Sequence, residues 1–339
     1  MSPAYDVFKI IDESQILPEY LMMWFSRSEF DRNAWFYTDT DVRGKLGWDS
    51  FCGMELPVPT IEKQQEIVKE YNVVKNRIAL NEQLNQNLEE TAQALYKHWF
   101  VDFEFPVTKE SHPELVSGSQ PVGYKSAGGK MIYKEELDME IPEEWELKEL
   151  SELVSTQYGY TERATEEEVG PKFLRITDIA QDYISWDNVP FCPINNSEFS
   201  KYELKRGDII IARTGATVGY AKQIGKKIPK AVFASYLVRI IPHDPLHQFL
   251  LGMNIVSKQY REFILSNAEG SAQPQANAKL MTKFLIRVPD DFILKKFNKL
   301  ITPYYDFKEI SELQNQFLLQ LQELLLSKMA RMKEEKEMV

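Results

Sequence analysis

The chain is short of the residues and motifs that catalysis needs. Two cysteines, Cys52 and Cys192, occur in 339 residues, far apart and without CxxC spacing. That excludes a disulfide framework and a zinc knuckle and fits a reduced, intracellular protein. The four histidines, His98, His112, His243 and His247, form no metal-ligand spacing, and Pro245 stands between the pair that is four apart. There is no GxGxxG fingerprint and no NPPY or DPPY run of the kind that holds an extruded base. The nearest approach to a phosphate loop, Gly219 with Gly225-Lys226-Lys227, has the wrong glycine spacing and no Ser or Thr after the lysine. No catalytic residue, no metal and no resident cofactor are therefore expected. Apolar runs such as Leu21-Met22-Met23-Trp24-Phe25 are too short to cross a bilayer, and the first six residues carry no signal-peptide pattern, so a cytoplasmic location without membrane contact is expected. A net charge of −11 excludes a surface coated with phosphate-binding groups.

What is present is an internal repeat at long period. Residues 56–100 align without gaps on residues 286–330 at an offset of 230. Val58-Pro59 matches Val288-Pro289, Glu82 matches Glu312, Asn85-Gln86 matches Asn315-Gln316, and Leu95 matches Leu325. Upstream, Leu17–Leu21 resembles Leu246–Leu250 at an offset of 229. Both repeats end in helical periodicity. One runs Tyr71, Val74, Ile78, Leu84, Leu88, Leu95, Trp99; the other Phe297, Leu300, Tyr304, Leu313, Phe317, Leu321, Leu324, Leu325. Pro303 is expected to interrupt the second. A long apolar seam must be buried, and an antiparallel pairing of the two helices is the economical way to do it. The seam is assigned to Tyr71, Val74, Ile78, Asn85, Leu88 and Leu95 with Asn315, Leu318, Leu321 and Leu325. Asn85 and Asn315 either fix its register or lie solvated on its surface.

The segments then fall into place. Residues 60–105 and 290–339 form the helices. Residues 106–140, rich in Pro, Gly and Ser, read as a linker or surface excursion. Residues 141–289 form a mixed domain with strand-like runs at 173–176, 208–212, 231–233 and 236–241 and a helix at 245–265. Residues 1–59 correspond only to the end of that domain, its helix and final strands. The expected fold is α+β: one complete domain, one partial copy, and an antiparallel coiled coil.

One stretch departs from the acidic background. Residues 201–230 hold Lys201, Lys205, Arg206, Arg213, Lys222, Lys226, Lys227 and Lys230 against only Glu203 and Asp208. Such a patch can grip phosphates, or it can be a solvated, turn-rich surface. Arg175, Thr177 and Asp178 end an apolar run, and Ser271, Gln273 and Asn277 sit in a Gly-rich loop. Arg, Gln and Asn are the side chains that pair bidentately with base edges.

In combination these segments resemble the specificity (S) subunits of type I restriction-modification systems, here with an incomplete first recognition domain. The resemblance rests on Leu204–Gly219, Phe173–Ile179, Phe233–Leu237, the Gly270–Asn277 loop followed by Val288-Pro289 and a long helix, and the opening Ile141-Pro142-x-x-Trp145. It implies a non-catalytic subunit in which each target recognition domain reads one half of a bipartite site in double-stranded DNA. It implies docking of methyltransferase (M) subunits and, through the complex, restriction (R) subunits, with another S polypeptide as a further partner. S-adenosylmethionine, ATP and magnesium would then sit only on partner subunits. On that basis Arg175, Thr177, Asp178, Arg213, Thr214, Gln273 and Asn277 are expected to face bases, and Lys205, Lys222, Lys226, Lys227, Lys230 and Lys279 to face phosphates. The alternative is a truncated, inactive or donor S remnant acting only as an interaction scaffold.

Overall fold

The computed structural model describes residues 7–38, 46–108, 112–116, 120–181, 183–268 and 275–331. The chain opens with helices α1 (Pro18–Phe25), α2 (Ser28–Phe36), α3 (Trp48–Cys52) and α4 (Ile61–Phe100). Short strands follow: β1 (Pro106–Val107), β2 (Val122–Gly123), β3 (Met131–Lys134), β4 (Met139–Pro142) and β5 (Glu146–Glu149). Next come α5 (Leu150–Leu153), β6 (Val154–Tyr158), β7 (Lys172–Leu174), α6 (Ile176–Ile179) and α7 (Asn196–Tyr202). Strands β8 (Ile209–Ala212), β9 (Ala221–Gln223), β10 (Ala231–Phe233) and β11 (Leu237–Pro242) complete the sheet region. The end holds α8 (Gln248–Ile255), α9 (Lys258–Asn267), α10 (Ala278–Met281), β12 (Leu285–Val288) and α11 (Asp291–Arg331). The chain divides into two compact units: residues 1–85 with 311–339, and residues 86–310.

In the first unit the front of α4 and the end of α11 run antiparallel. Ile67 clusters with Met329, and Asn81 Nδ2 donates to Asn315 Oδ1 at 2.7 Å. Covered positions on α4 recur as Gln64, Ile67, Tyr71, Val74, Ile78, Asn81 and Asn85, strictly three and four apart. That is the heptad seam of a coiled coil. Asn315 pairs with Asn81 and not with its repeat equivalent Asn85. Antiparallel packing of two equivalent helices matches each position with a different one, so Asn85 belongs opposite Ser311. The Asn85 Oδ1 and Ser311 Oγ atoms are buried, and neither has a hydrogen-bond partner among the described residues. Leu318 and Leu325 are partly covered, as expected of seam positions. Leu321 is not: it is 43% exposed, as are Phe317 and Leu324 to a greater extent. The 3.5-residue period carries the seam past them through Gln322 to Leu325 and Leu326. Leu84 likewise points outward, and Asn81 and Asn85 take the covered places.

This polar layer yields a prediction. Replacing Asn81 and Asn315 together by Leu should raise the melting temperature while allowing alternative registers, because a polar seam pair trades stability for register. Spin-label distances between α4 and α11 should broaden in the double variant. A single unbroadened distance would show that the asparagines do not set register.

In the second unit the same two helices also run antiparallel. Lys308 Nζ donates to Glu89 Oε2 at 2.7 Å, and Phe297 is enclosed by Trp99 and Phe100, with ring centroids 5.5 and 4.6 Å away. Burial alone would raise the Glu89 carboxyl, but the Lys308 ammonium, its hydrogen bond, Gln93 and Lys222 outweigh this and hold it below the ordinary carboxylate range. Pro303 does not break α11. Its ring lies on the exposed side, so one backbone bond is lost while Phe297, Ile301 and Tyr305 keep the helix packed.

The sheet of this unit is antiparallel in the order β6-β11-β8-β9, with β7 and β10 forming a separate parallel pair. Val238 and Ile240 of β11 and Ile209 and Ile211 of β8 bury one face against α8, α9 and α10. The other face packs against Leu174, Ile179 and Phe233. The helix expected at 245–265 is two helices, α8 and α9, because Ser257 caps a fresh N-terminus by accepting from Tyr260 N–H. The stretch expected as a linker is largely packed. β1 pairs with β2, and Val107, Val116 and Tyr124 are buried, with Phe105 stacked on both Tyr124 and Trp145. Its Gly and Ser content hid these anchoring residues. The repeat also tightens: α1 and α8, α2 and α9, and α3 and α10 all begin 230 residues apart, so the offset of 229 is a one-residue misregister.

Candidate nucleic-acid interface

Five chain segments meet at the start of β11. Tyr158, at the end of β6, lies opposite Val238, and Ala212, at the end of β8, lies opposite Leu237. β7 and β10 run parallel and deliver Arg175 and Ala234–Tyr236 to the same end. The fifth segment enters through Thr214, which bridges to Gln275, while the Arg213 carbonyl accepts from Ala276 N–H at 2.9 Å. Two glycines make the approach possible. A Cβ on Gly159 would lie 2.2 Å from the Ala234 carbonyl oxygen, and Gly215 holds φ +74 with open space where its side chain would be.

Arg213 stands at the centre. Its backbone N–H donates to the Tyr236 carbonyl at 3.1 Å, and its guanidinium lies 4.9 Å above the Tyr158 ring. It makes no ion pair among the described residues. The guanidinium is thus oriented by an aromatic ring rather than by a carboxylate, and its buried Nε has no hydrogen-bond partner among the described residues. Tyr158 is fixed in turn, because Ala278 N–H donates to its hydroxyl at 3.0 Å. Tyr236 stands 62% exposed beside it.

The other expected base-facing residues divide. Thr214 and Asn277 belong to this edge, and Asn277 also accepts from Leu280 N–H to cap α10. Arg175 and Asp178 are engaged with each other through two side-chain bonds of 3.1 and 3.0 Å, and Asp178 further accepts from Arg175 N–H. Arg175 has thereby spent much of its donor fork on a turn. Thr177 is exposed on the same short helix. Gln273 lies outside the described residues. Three residues of the edge that pattern reading passed over are Tyr158, Tyr236 and Gln275. An exposed Tyr next to a short polar turn was the available signal.

The lysines do not converge on this edge. Lys205 precedes β8, Lys226 and Lys227 follow β9, and Lys230 precedes β10, which places them at the opposite end of the strands. A four-residue strand separates the ends by about 13 Å. Lys226 is tied to α11, with Nζ on Asp306 and its N–H donated to Glu309 at 2.6 Å. Lys222 faces Glu89 electrostatically. Lys205, Lys227 and Lys230 are exposed. Of the six lysines, Lys279, on α10 two residues from Asn277, is the one that accompanies this edge. Among the described residues no group of three or more His, Cys, Asp or Glu could hold a metal, and no helix is long and apolar enough to cross a membrane.

A guanidinium over a tyrosine ring and without an ion pair among the described residues, with exposed Tyr236, Asn277 and Lys279 nearby, makes this edge the candidate recognition site. The comparisons specify which kind. A model for the type I restriction modification DNA specificity domain matches residues 142–320, more than half of the chain. The chain belongs to this family, the type I restriction-modification specificity subunits. It is 22% identical to the MjaIX specificity subunit of Methanocaldococcus jannaschii over 326 residues, covering 94% of this chain and 70% of that relative. It is 23% identical to the HindI specificity subunit of Haemophilus influenzae over 358 residues, covering 93% and 77%. In fold it resembles the crystal structure of the S subunit from M. genitalium, with a TM-score of 0.53 and 14% identity over 94% of this chain and 74% of that one.

Proposed function

We propose that the second unit reads one half of a bipartite DNA site with the edge at the start of β11, and that the long helices hold methyltransferase subunits. The observation that carries the first part is the Arg213 guanidinium, stacked on Tyr158 and without a carboxylate partner among the described residues. Such a group costs little to bring against a guanine O6/N7 pair. The second part rests on the face of α11 that the seam leaves uncovered. Phe317, Leu321 and Leu324 form an exposed stripe there, and Phe307 and Ile310 are exposed earlier on the same helix. An apolar stripe of that kind marks a protein contact. In this reading the methyl donor, ATP and magnesium reside on the partner subunits, and this chain supplies sequence choice.

Co-expression with a methyltransferase subunit and genome-wide mapping of methylated adenines tests the reading. A single recurrent half-site whose identity changes with Arg213→Ala is the expected result. Methylation identical with and without this chain would contradict it. Phe317→Asp with Leu324→Asp should abolish co-purification of the methyltransferase subunit and leave the melting temperature unchanged.

A further inference from the structure

A second guanidinium lies over a tyrosine ring at the same end of the sheet. The Arg261 guanidinium, on α9, sits 3.9 Å from the centre of the Tyr220 ring. Tyr220 immediately precedes β9, and its carbonyl accepts from Ala212 N–H at 2.8 Å, which sets it beside the last residue of β8. The β8–β9 turn therefore carries Arg213 on one limb and the ring that holds Arg261 on the other. Gly219 makes room for this. It holds φ +80, and a Cβ there would lie 3.2 Å from Arg261 Cγ, so the arginine stem rests on the turn itself.

The Arg261 charge is uncompensated. It makes no ion pair among the described residues, and its buried Nε has no hydrogen-bond partner there. Glu262, next to it in sequence, is engaged by Lys258 along the helix. Packing of the helix does not require a cation at this position. At the repeat offset of 230, α2 keeps the preceding aromatic, Phe30 for Tyr260, yet carries Asp31 where α9 carries Arg261. Tyr220 is exposed and Arg261 is partly so.

Placement separates the role of Arg261 from that of Arg213. One helical layer supports both. Ala278 N–H of α10 holds Tyr158, and the Tyr260 hydroxyl ties α9 to α10 by donating to the Met281 carbonyl at 2.9 Å. Yet Tyr158 ends β6 and Tyr220 precedes β9, the outer strands of the order β6-β11-β8-β9. Three strand spacings lie between them, about 14 Å. A DNA major groove is about 12 Å wide. When the Tyr158 side reaches base edges, the Tyr220 side therefore falls at the groove wall, where the phosphates are.

We propose, resting on the DNA reading assigned above to the β11 edge, that Arg261 grips a phosphate at the wall of the groove that Arg213 enters. Tyr220 holds the guanidinium plane, and the planar fork matches two phosphate oxygens. Phosphate contacts fix register and carry no base information, so Arg261 is a positioning residue for Arg213.

The test titrates the full chain, assembled with a methyltransferase subunit, onto one fixed duplex across salt concentrations. Arg261→Gln keeps the stem on Gly219 and removes the charge. Between roughly 50 and 200 mM salt the wild type should lose about three- to fourfold more affinity than Arg261→Gln, the effect of a single phosphate contact. Arg261→Lys should restore the wild-type salt dependence, and all three proteins should select the same motif from random duplexes. Wild-type salt dependence in Arg261→Gln would overturn the proposal and leave the side chain a packing element of the turn. A motif relaxed at one position in Arg261→Gln would overturn it by making Arg261 a base reader. Arg213 is judged by the motif and Arg261 by the salt slope, which any duplex reports, so the failure of one is distinct from the failure of the other.

Discussion

Replacing Asp208 by Ala should cost the second unit about 3–5 kcal/mol, the loss typical when one member of a buried pair is removed. Asp208 and Arg239 are each less than a tenth exposed, and their side chains meet at 2.7 Å. The carboxylate also accepts from Lys205 N–H at 2.6 Å, and so closes the turn that starts β8. Without it the Arg239 charge remains inside the sheet, with only Gln157 at 3.3 Å to receive it. The double variant Asp208→Leu, Arg239→Met should recover most of the loss, because it removes both charges at once. Urea unfolding of the full chain measures this. If single and double variants lose equal stability, the turn bond to Lys205 carries the effect and the ion pair does not.

Phe297→Ala should be as severe, about 3–5 kcal/mol. Phe297 is fully buried, with Tyr96, Trp99 and Phe100 around it at centroid distances of 4.6–6.4 Å. No neighbour can rotate into the space, since each ring is itself held. Trp99 and Phe100 are buried, and Phe100 also packs on Trp145. The cavity would open where α4 and α11 meet in the second unit. Loss of the cooperative near-ultraviolet transition at lower denaturant is the expected signal. A variant that unfolds with the wild type would mean that this aromatic cluster is not what joins the helices.

Periodicity carried most of the architecture. The long helices, their antiparallel pairing and the incomplete first copy follow from an apolar repeat and its offset, because heptad spacing is local and survives without knowledge of the fold. Pro303 and Leu321 misled for the same reason. A proline on the outer face of a well-packed helix is tolerated, and a leucine near the seam is indistinguishable in composition from one on it. The interface was legible only in part. Arg213, Thr214 and Asn277 stood in recognisable turns, but the guanidinium's support by Tyr158 depends on strand pairing between residues 80 positions apart in number. The basic cluster was a true feature of composition. Yet a hairpin sends its two ends in opposite directions, so Lys205, Lys226 and Lys230 were carried away from Arg213.

The central claim is that the rim at the start of β11 selects DNA sequence through Arg213. Selection of the full chain, bound to a methyltransferase subunit, against a pool of random duplexes tests it directly. The wild type should enrich one defined half-site, and Arg213→Ala should enrich a motif relaxed at a single position, with affinity for the original lowered by about 1–3 kcal/mol. An unchanged motif, or a uniform loss on every duplex, would contradict it.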